Sequence, residues 1–320
     1  MPRYDVFNGD ADGLCALQQL RLESPEENEL VTGTKRDVRL LGRVPARAGD
    51  AITVLDISVD ANREALARAL AAGATVRWFD HHYAGEPVVA PNFEPHIDTS
   101  PEICTSLIVD RFLGGRRRAW AIAAAFGDNL VALATRLARE AGLGEAETAA
   151  LRALGQSLNY NAYGDSVADL RYDPAALARR LRRYEDPFDF LRAEPVVKEL
   201  QAGYAEDLAN ARRTQPTPVS PAARAWFLPQ APWARRVFGA FANALAAEQP
   251  AFAHAVLAPR PDGTWSVSLR APAARPEGCD ELARAFPTGG GRKAAAGIDR
   301  LPQPDVDRFL GAFGDRYGKP

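Results

Sequence analysis

Six residues in the first third of the sequence have the side-chain types and spacing of a metal or acid–base site. They are four carboxylates and two imidazoles, each at or shortly after the end of a predicted strand: Asp10, Asp12, Asp56, Asp80, His81 and His82. Four carboxylates in one small cleft repel each other unless they take up protons or bind cations. Oxygen ligands with one or two imidazoles suit Mn²⁺ or Mg²⁺ better than a soft metal. Two such ions about 3.5–4 Å apart can clamp an in-line phosphoryl displacement, which needs no protein nucleophile.

Three predicted strands bring these residues to one edge of a sheet. Residues 4–7 form a short apolar segment before the first two aspartates, and residues 14–22 have a helical pattern. Residues 51–57 are a continuous apolar run of strand length, and residues 75–79 form the next strand after a helix over 62–72. Such strand–helix–strand units give parallel sheets, whose sites form at the carboxyl ends of the strands.

Each part of this arrangement has a plainer interpretation. The Asp-x-Asp-Gly segment at 10–13 alone is usually a turn, and an aspartate that ends a strand often only caps a helix. His81 and His82 could be a surface pair, while His96 and His254 are interpreted as structural or exposed. The joint arrangement favours a site, because every part falls at the same sheet edge.

Beyond residue 100 the patterns predict a helical segment and then a smaller unit. A chain of 320 residues is too long for one ordinary core, and the Pro-rich polar segment 214–221 is the best linker candidate. Two strands, two helices and a glycine loop are predicted beyond it, at 252–257, 265–270, 280–286, 305–313 and 288–291. The predicted fold class is α/β, with a first domain at 1–190, a helical and Pro-rich linker at 191–220 and a second domain at 221–320.

Composition and charge argue against several classes of protein. The net charge is −2, from 39 basic and 41 acidic residues, so any anion-binding surface must be local. Cys15, Cys104 and Cys279 form no Cys-x-x-Cys pair, which argues against a disulfide framework or a thiolate zinc site. No apolar run approaches the roughly 20 residues of a membrane helix, and the first residues lack a signal-sequence pattern. We therefore expect a cytoplasmic protein without membrane contact.

Taken in order along the chain, the motifs resemble those of the DHH phosphoesterase superfamily. The first four are Asp10-Ala11-Asp12-Gly13, Leu55-Asp56-Ile57, Asp80-His81-His82 and Gly127-Asp128-Asn129. Two later motifs resemble the DHH-associated C-terminal domain: Ser268-Leu269-Arg270 and Gly289-Gly290-Gly291-Arg292-Lys293. Together these motifs are highly specific, although each alone is not. The resemblance implies a parallel-sheet domain with a helical segment, then a smaller α/β domain, with the site in a cleft between them.

The resemblance also implies a set of metal ligands. Asp10 and Asp56 would hold one divalent ion, while Asp12, His81 and Asp128 would hold another, with Asp56 bridging the two. The ions would be Mn²⁺ in most relatives, and Mg²⁺ is an alternative. A single ion is the other possibility.

Further roles are implied for the residues around the ions. Asp80 would either ligate or orient His81, and His82 would stabilise charge on the scissile phosphate or protonate the leaving group. Arg270 and the backbone amides of the glycines at 289–291 would bind phosphate oxygens. Arg270 therefore counts as a catalytic and a substrate-binding candidate, beside Gly289, Gly290, Gly291, Arg292 and Lys293.

Two positions depart from the family's pattern. Asn8 stands where many relatives have His or Asp, and its neutral amide is a weaker candidate ligand for the first ion. Arg292, with Lys293 beside it, stands where the glycine motif usually continues with His. Arg stays charged and binds phosphate bidentately, so this departure preserves anion binding.

The leading functional hypothesis is a metal-dependent phosphoesterase of small nucleotide substrates: short oligonucleotides, a 3′-phosphorylated adenosine nucleotide or linear dinucleotides. A single-strand exonuclease of RecJ type is the second hypothesis, and its partner would be short single-stranded nucleic acid. A non-catalytic phosphate-ligand sensor is the third, favoured by Asn8 and Arg292. The sequence leaves open whether the protein forms a homodimer.

Overall fold

The chain folds into two compact units, Met1–Ala202 and Gly203–Pro320. The structure is a computed structural model that describes residues 2–318. The division falls within a long helix over residues 196–212, and each unit has its own sheet and its own apolar core. No helix within the described range is long and apolar enough to cross a membrane.

A five-stranded parallel sheet forms the centre of the first unit. Its strands are β1 (Arg3–Phe7), β2 (Glu29–Thr32), β3 (Ala51–Leu55), β4 (Thr75–Asp80) and β5 (Phe93–Ile97), and their order in the sheet is β2-β1-β3-β4-β5. Every neighbouring pair is parallel, as the predicted strand–helix–strand units require. The carboxyl ends of β1, β3 and β4 therefore lie side by side.

The two outer strands of this sheet were not predicted. β2 is partly exposed, and β5 carries Glu94, Pro95 and His96, so neither has the continuous apolar run of a strand buried on both faces. Proline tolerates an edge position because it lacks an N–H to donate. Edge strands are hard to predict from sequence for this reason, and β2 proves important for the site.

Nine α-helices begin within the described part of the first unit. They are α1 (Ala11–Glu23), α2 (Arg63–Ala71), α3 (Thr105–Phe112), α4 (Arg118–Gly127), α5 (Val131–Glu140), α6 (Glu145–Asn161), α7 (Pro174–Leu181), α8 (Pro187–Ala193) and α9 (Val196–Arg212). α1 packs against α3 and α4, and α4 packs against α6, so one helical layer is built around the first helix after β1. Ten of the thirteen residues of α1 are buried.

A six-stranded sheet forms the centre of the second unit. Its strands are β6 (Thr217–Ser220), β7 (Ala223–Phe227), β8 (Ala253–Pro259), β9 (Thr264–Arg270), β10 (Gly289–Arg292) and β11 (Ala295–Pro302), in the order β10-β11-β9-β8-β7-β6. Its helices are α10 (Pro232–Glu248), α11 (Cys279–Arg284) and α12 (Val306–Tyr317). The main core of this unit contains the stacked pair Phe309 and Phe313 of α12 and small residues of the strands.

Two segments of the second unit differ from the sequence-based description. The Pro-rich stretch 214–221, expected as linker, contains the edge strand β6, which pairs with β7. The glycines at 289–291, expected as a loop, begin the strand β10, which pairs with β11. Both segments have poor strand propensity, and pairing with a distant part of the chain overrides it.

Candidate active site

The turn between β1 and α1 carries the first two carboxylates of the site. Asp10 caps α1, because its Oδ1 accepts hydrogen bonds from the amides of Asp12 (3.0 Å) and Gly13 (3.1 Å). A side chain at Gly13 would place its Cβ 2.1 Å from the carbonyl oxygen of Asn8, so the turn requires glycine there. The cap leaves Oδ2 of Asp10 pointing away from the helix, where it has another partner described below.

Asp12 is held by the start of a different helix. Its Oδ2 accepts from the amide of Thr105 and its Oδ1 from the amide of Ser106, both at 2.7 Å. These are the first amides of α3, which have no partner within the helix. The positive end of α3 thus stabilises and orients a carboxylate that is only 1% exposed.

Asp56 follows β3 directly and has a left-handed backbone conformation, with φ of 58°. Its amide donates to the carbonyl of Phe79 on β4 (3.0 Å), and its Oδ1 accepts from the hydroxyl of Thr105 (3.1 Å). The indole of Trp78 donates to the next carbonyl, that of Ile57 (2.8 Å). These bonds hold an uncommon conformation that aspartate tolerates better than most residues, and they fix the carboxylate at the sheet edge.

Asp80 ends β4 and is fully buried. Its Oδ1 accepts a hydrogen bond from Nδ1 of His82 at 2.7 Å. Asp80 was expected to ligate an ion or to orient His81, but in the structure its partner is His82. Its Oδ2 is buried without a hydrogen-bond partner among the described residues. The bond to Asp80 outweighs the opposing effect of burial and raises the pKa of the His82 imidazole.

Asp128 is delivered by a tight crossing of helices. α4 ends at Gly127, where a Cβ would lie 2.4 Å from the Cβ of Ala11 on α1. A Cβ at Gly155 of α6 would lie 1.9 Å from the carbonyl oxygen of Ala123 on α4. The two glycines let the three helices approach closely, and the residue directly after α4, Asp128, reaches the edge of the sheet.

His81 stands at the centre of one half of this cluster. Its Nε2 lies 3.4 Å from Oδ1 of Asp56, 3.8 Å from Oδ2 of Asp128 and 3.9 Å from Oδ2 of Asp12. Ligands bound to one ion at about 2.1 Å lie roughly 3.0–3.5 Å from one another. Two sets of residues have ligand atoms with suitable spacing for one ion: Asp12, His81 and Asp128, and Asp56, His81 and His82. Oxygen and imidazole ligands in this half therefore fit a divalent ion after a small contraction.

The other half of the cluster contains a lysine. Nζ of Lys35 lies 2.5 Å from Oδ2 of Asp10 and 3.5 Å from Oδ1 of Asp128, and it donates to Oδ1 of Asn159 (3.2 Å). The amide of Asn8 donates from Nδ2 to the carbonyl of Lys35 at 3.4 Å. Asp10 and Asn8, expected as ligands, thus surround an ammonium group.

The carboxyl pKa values shift in opposite directions in the two halves of the cluster. Burial, and then the carboxylates of Asp10 and Asp12, raise the pKa of Asp56 well above its usual range. Burial and the charge of Asp12 also raise the pKa of Asp128. Burial favours the neutral form of Asp10, but the Lys35 ammonium outweighs it and lowers the pKa of Asp10. Burial opposes the charge of Lys35, but the carboxylates, led by Asp10, raise its pKa well above its usual range.

Comparison with known proteins gives matches in structure only. No protein-family model and no curated protein matches the sequence. The pGpG-specific phosphodiesterase PggH from Vibrio cholerae is 17% identical, with a TM-score of 0.55 over 99% of this chain and 98% of that chain. An exonuclease RecJ bound to manganese is 18% identical, with a TM-score of 0.58 over 98% and 90% of the two chains. RecJ from Thermus thermophilus, in complex with Mn²⁺, is 18% identical, with a TM-score of 0.55 over 99% and 53%.

These matches run along both units and decide the fold. The chain has the fold of this phosphodiesterase and of the RecJ exonucleases. The mixed α/β architecture with two sheets, predicted from the motifs, is confirmed. At this level of identity the likeness shows the fold alone, so the roles of individual residues stay predictions.

The two later motifs, around Arg270 and Gly289, lie on the sheet of the second unit. Arg270 ends β9, and its guanidinium donates to Asn243 (2.8 Å), to the hydroxyl of Ser268 (3.1 Å) and to the carbonyl of Leu269 (2.7 Å). Arg270 pairs with Ala295 of β11, which pairs with Arg292 of β10. Residues that are paired on neighbouring strands lie on the same face of a sheet. Arg270 and Arg292 therefore lie on either side of Ala295, with their Cα atoms about 9.5 Å apart.

A row without large side chains lies next to the two arginines. The row crosses the same three strands and consists of Ser268, Gly297 and Gly290. Each of its residues lies two positions along its strand from Arg270, Ala295 or Arg292. Side chains alternate between faces, so this row shares the face of the arginines. A Cβ at Gly290 would meet nothing within 4 Å, so the surface there is open. Arg292 and Lys293 are exposed, and Gly289 and Gly290 are partly exposed.

Sequence reasoning missed Lys35 as a member of the site. Lys35 was missed because β2 was missed: it comes three residues after β2, at the same sheet edge as Asp10. Recognising 29–32 as a parallel strand would have placed it there. For Thr105 and Ser106 the sequence left open a place in the site or a role in helical packing. Their amides, at the start of α3, contact Asp12 in the site.

Proposed function

We propose that this protein is a metal-dependent phosphoesterase that hydrolyses phosphate esters of small nucleotides. The observation that carries the proposal is the position of His81, whose Nε2 lies 3.4–3.9 Å from carboxylate oxygens of Asp12, Asp56 and Asp128 at the carboxyl edge of a parallel sheet. Asp12, Asp56, His81 and Asp128 would hold a divalent ion, proposed to be Mn²⁺. Such an ion supplies Lewis-acid stabilisation of phosphate oxygens and makes a water molecule more acidic.

His82 is proposed as the proton donor to the leaving oxygen. Its Nδ1 is bonded to buried Asp80, which fixes the ring and leaves Nε2 as the nitrogen that can face a substrate. Its side chain is 46% exposed, whereas that of His81 is 18% exposed. Asp80 acts through His82: it holds the ring in one tautomer and stabilises the imidazolium.

The face of the second unit that carries Arg270 and Arg292 is proposed to bind anionic groups of the substrate. Two arginines on one sheet face, with backbones about two strand spacings apart, suit a ligand that carries two anionic groups. The small residues Ser268, Gly290 and Gly297 leave room beside them for a ligand to approach the backbone. The hydrogen bond to Asn243 holds Arg270 in a defined position before any ligand arrives.

Small substrates are favoured over long nucleic acid. The chain matches 98% of the length of a pGpG-specific phosphodiesterase, and 90% and 53% of the lengths of two RecJ exonucleases. The net charge of −2 provides no extended positive field for a polyanion. Linear dinucleotides, 3′-phosphorylated adenosine nucleotides and short oligonucleotides are the proposed substrate class.

A substrate panel tests this proposal. The full-length protein is incubated with Mn²⁺ and a linear dinucleotide, a 3′,5′-bisphosphorylated adenosine, a short RNA and a long single-stranded DNA. We expect turnover of one or more of the three small compounds and its loss on chelation of the metal. The absence of turnover of every compound, with Mn²⁺ demonstrably bound, contradicts the proposal.

The role of His82 has a matched control in the same unit. His82→Gln is expected to lower kcat by about 10²–10³-fold, with KM and Mn²⁺ content little changed, because only the proton donor is removed. His96 has the same relation to Glu94, with a hydrogen bond of 2.8 Å two residues away, but it stacks on Phe79 outside the cluster. His96→Gln should therefore leave kcat unchanged. Equal losses in both variants would exclude a specific role for His82.

Two other functions remain testable by the same panel. The position of Lys35 beside Asp10 favours a binding protein that uses the site without turnover, because it places a fixed cation where the family resemblance implies a metal ion. Such a protein would be stabilised by ligands and would hydrolyse none of them.

The RecJ matches favour a single-strand exonuclease, which would degrade the long DNA from one end with a strong dependence on salt.

A further inference from the structure

Lys35 occupies the half of the cluster that belongs to Asp10. Its ammonium contacts three oxygens, on Asp10 at 2.5 Å, Asn159 at 3.2 Å and Asp128 at 3.5 Å. Its side chain is 27% exposed, so most of its length is packed. The backbone is held as well, because the Lys35 amide donates to the carbonyl of Ala162 at 2.9 Å and the Lys35 carbonyl accepts from Asn8.

This placement uses the ligands that a second ion would need. An ion bound to Oδ2 of Asp10, at about 2.1 Å, would have to share this oxygen with the ammonium nitrogen of Lys35, which lies 2.5 Å from it. The other oxygen of Asp10 already accepts two amide hydrogen bonds as the cap of α1. Asn8 adds no charge to attract a cation. The residues on this side therefore do not fit a second ion while Lys35 is in place.

The charge balance leads to the same conclusion. Asp10, Asp12, Asp56 and Asp128 bring up to four negative charges, and Lys35 neutralises one of them without a metal. One divalent ion beside His81 neutralises two more. A second divalent ion would have to bind next to the ammonium, and cations at such short range repel each other strongly where water is scarce.

We propose that the site binds one divalent ion, among Asp12, Asp56, His81 and Asp128, and that the ammonium of Lys35 takes the place of a second ion beside Asp10. The inference rests on the proposed function for the identity of the ion site, but its test needs no substrate. In this arrangement Lys35 is a fixed positive group, which neutralises Asp10 and faces the same cluster as the ion. It contacts Oδ2 of the residue that caps α1, Asp10, whose Oδ1 accepts the two amide hydrogen bonds of the cap.

Metal stoichiometry and the spectrum of bound Mn²⁺ test the proposal. Calorimetric titration of the metal-free, full-length protein with Mn²⁺ should give one equivalent, and electron paramagnetic resonance should show isolated Mn²⁺ without exchange coupling. Lys35→Ala removes the ammonium and leaves space, so a second equivalent of Mn²⁺ should bind and a coupled signal should appear. Lys198→Ala, which changes an exposed lysine of α9, should keep one equivalent.

Each outcome supports or overturns the proposal. Two equivalents in the unmodified protein would show that Mn²⁺ displaces the ammonium, and would overturn it. One equivalent in Lys35→Ala would also overturn it, because the lysine would then not be what excludes the second ion. Lys35→Gln, which keeps most of the length and removes the charge, provides the same test if the alanine variant does not fold. A failure to find turnover, with one ion bound, would affect the proposed function and leave this inference standing.

Discussion

The two halves of the carboxylate cluster start from nearly the same chemistry and end differently. Asp10 and Asp12 lie two residues apart on one turn, both are 1% exposed, and both accept two amide hydrogen bonds at a helix start. The difference comes from the strand ends beside them. The segment after β4 brings the imidazole of His81 to Asp12, whereas the segment after β2 brings the ammonium of Lys35 to Asp10.

This contrast shows that a carboxylate motif alone does not define a metal site. The Asp-x-Asp-Gly turn supplies two buried carboxylates at one sheet edge, but a neighbouring strand decides whether each one meets a ligand or a counter-ion. In the half around His81, the pKa values of Asp56 and Asp128 are raised. In the other half, the ammonium of Lys35 neutralises Asp10 and lowers its pKa.

The largest expected difference is in metal affinity. His81→Ala removes a ligand from the Asp12 half and should weaken Mn²⁺ binding by about 100-fold or more. Asn8→Ala acts in the Asp10 half and loses only two long hydrogen bonds, at 3.3 and 3.4 Å. It should change the affinity by no more than about threefold. Calorimetric titration of both variants measures the two effects.

Folding controls keep this comparison interpretable. Circular dichroism and the thermal midpoint of each metal-free variant establish that both are folded. If Asn8→Ala weakens Mn²⁺ binding as strongly as His81→Ala, the Asp10 half takes part in ion binding and the contrast between the halves disappears.

A smaller effect is expected on stability when Asp56 loses its charge. Asp56→Asn keeps the shape and the acceptor for Thr105, and asparagine tolerates the left-handed conformation at φ of 58°. It removes a buried carboxyl that faces two other carboxylates. We expect the metal-free protein to gain on the order of 1 kcal/mol in free energy of unfolding.

The same change should weaken Mn²⁺ binding and lower activity, because a neutral amide replaces an anionic ligand. Urea unfolding of the metal-free proteins measures the gain, and titration measures the loss. Asp60→Asn, at an exposed aspartate after the same strand, is the matched control and should show neither effect. A metal-free Asp56→Asn protein less stable than the unmodified one would mean that the ionised carboxylate is a net stabilising group.

The sequence predicted one half of this site better than the other, for a physical reason. Strands buried on both faces carry apolar runs, so β3 and β4, and with them Asp56 and His81, were predictable. β2 is a half-exposed edge strand without such a run, so Lys35 could not be placed. The partner of Asp80 was also beyond prediction, because the choice between the adjacent rings of His81 and His82 depends on side-chain rotation, which spacing along the chain does not determine.

The second unit shows the same limit in a different form. The motif around Arg270 was assigned to a strand, as observed, because β9 has an apolar, alternating pattern. The glycines that form β10 have no strand pattern, and the register that brings Arg292 onto the face of Arg270 exists only through β11. Long-range pairing of this kind leaves no local signal in a single sequence.

The smallest expected effect is the pH dependence of the Asp56→Asn gain. Burial and the neighbouring carboxylates raise the pKa of Asp56 in the folded protein above its value in the unfolded chain, which is about 3.9. Below that pH the residue is protonated in both states and contributes no difference. As the pH rises toward the folded pKa, the folded state binds more protons than the unfolded state, so stability falls with rising pH.

The gain from Asp56→Asn in metal-free protein should therefore be small near pH 4 and grow toward neutral pH. Urea unfolding of both proteins at several pH values checks this slope, and a gain that shrinks as the pH rises would mean that Lys35 stabilises the charge of Asp56 as it does that of Asp10.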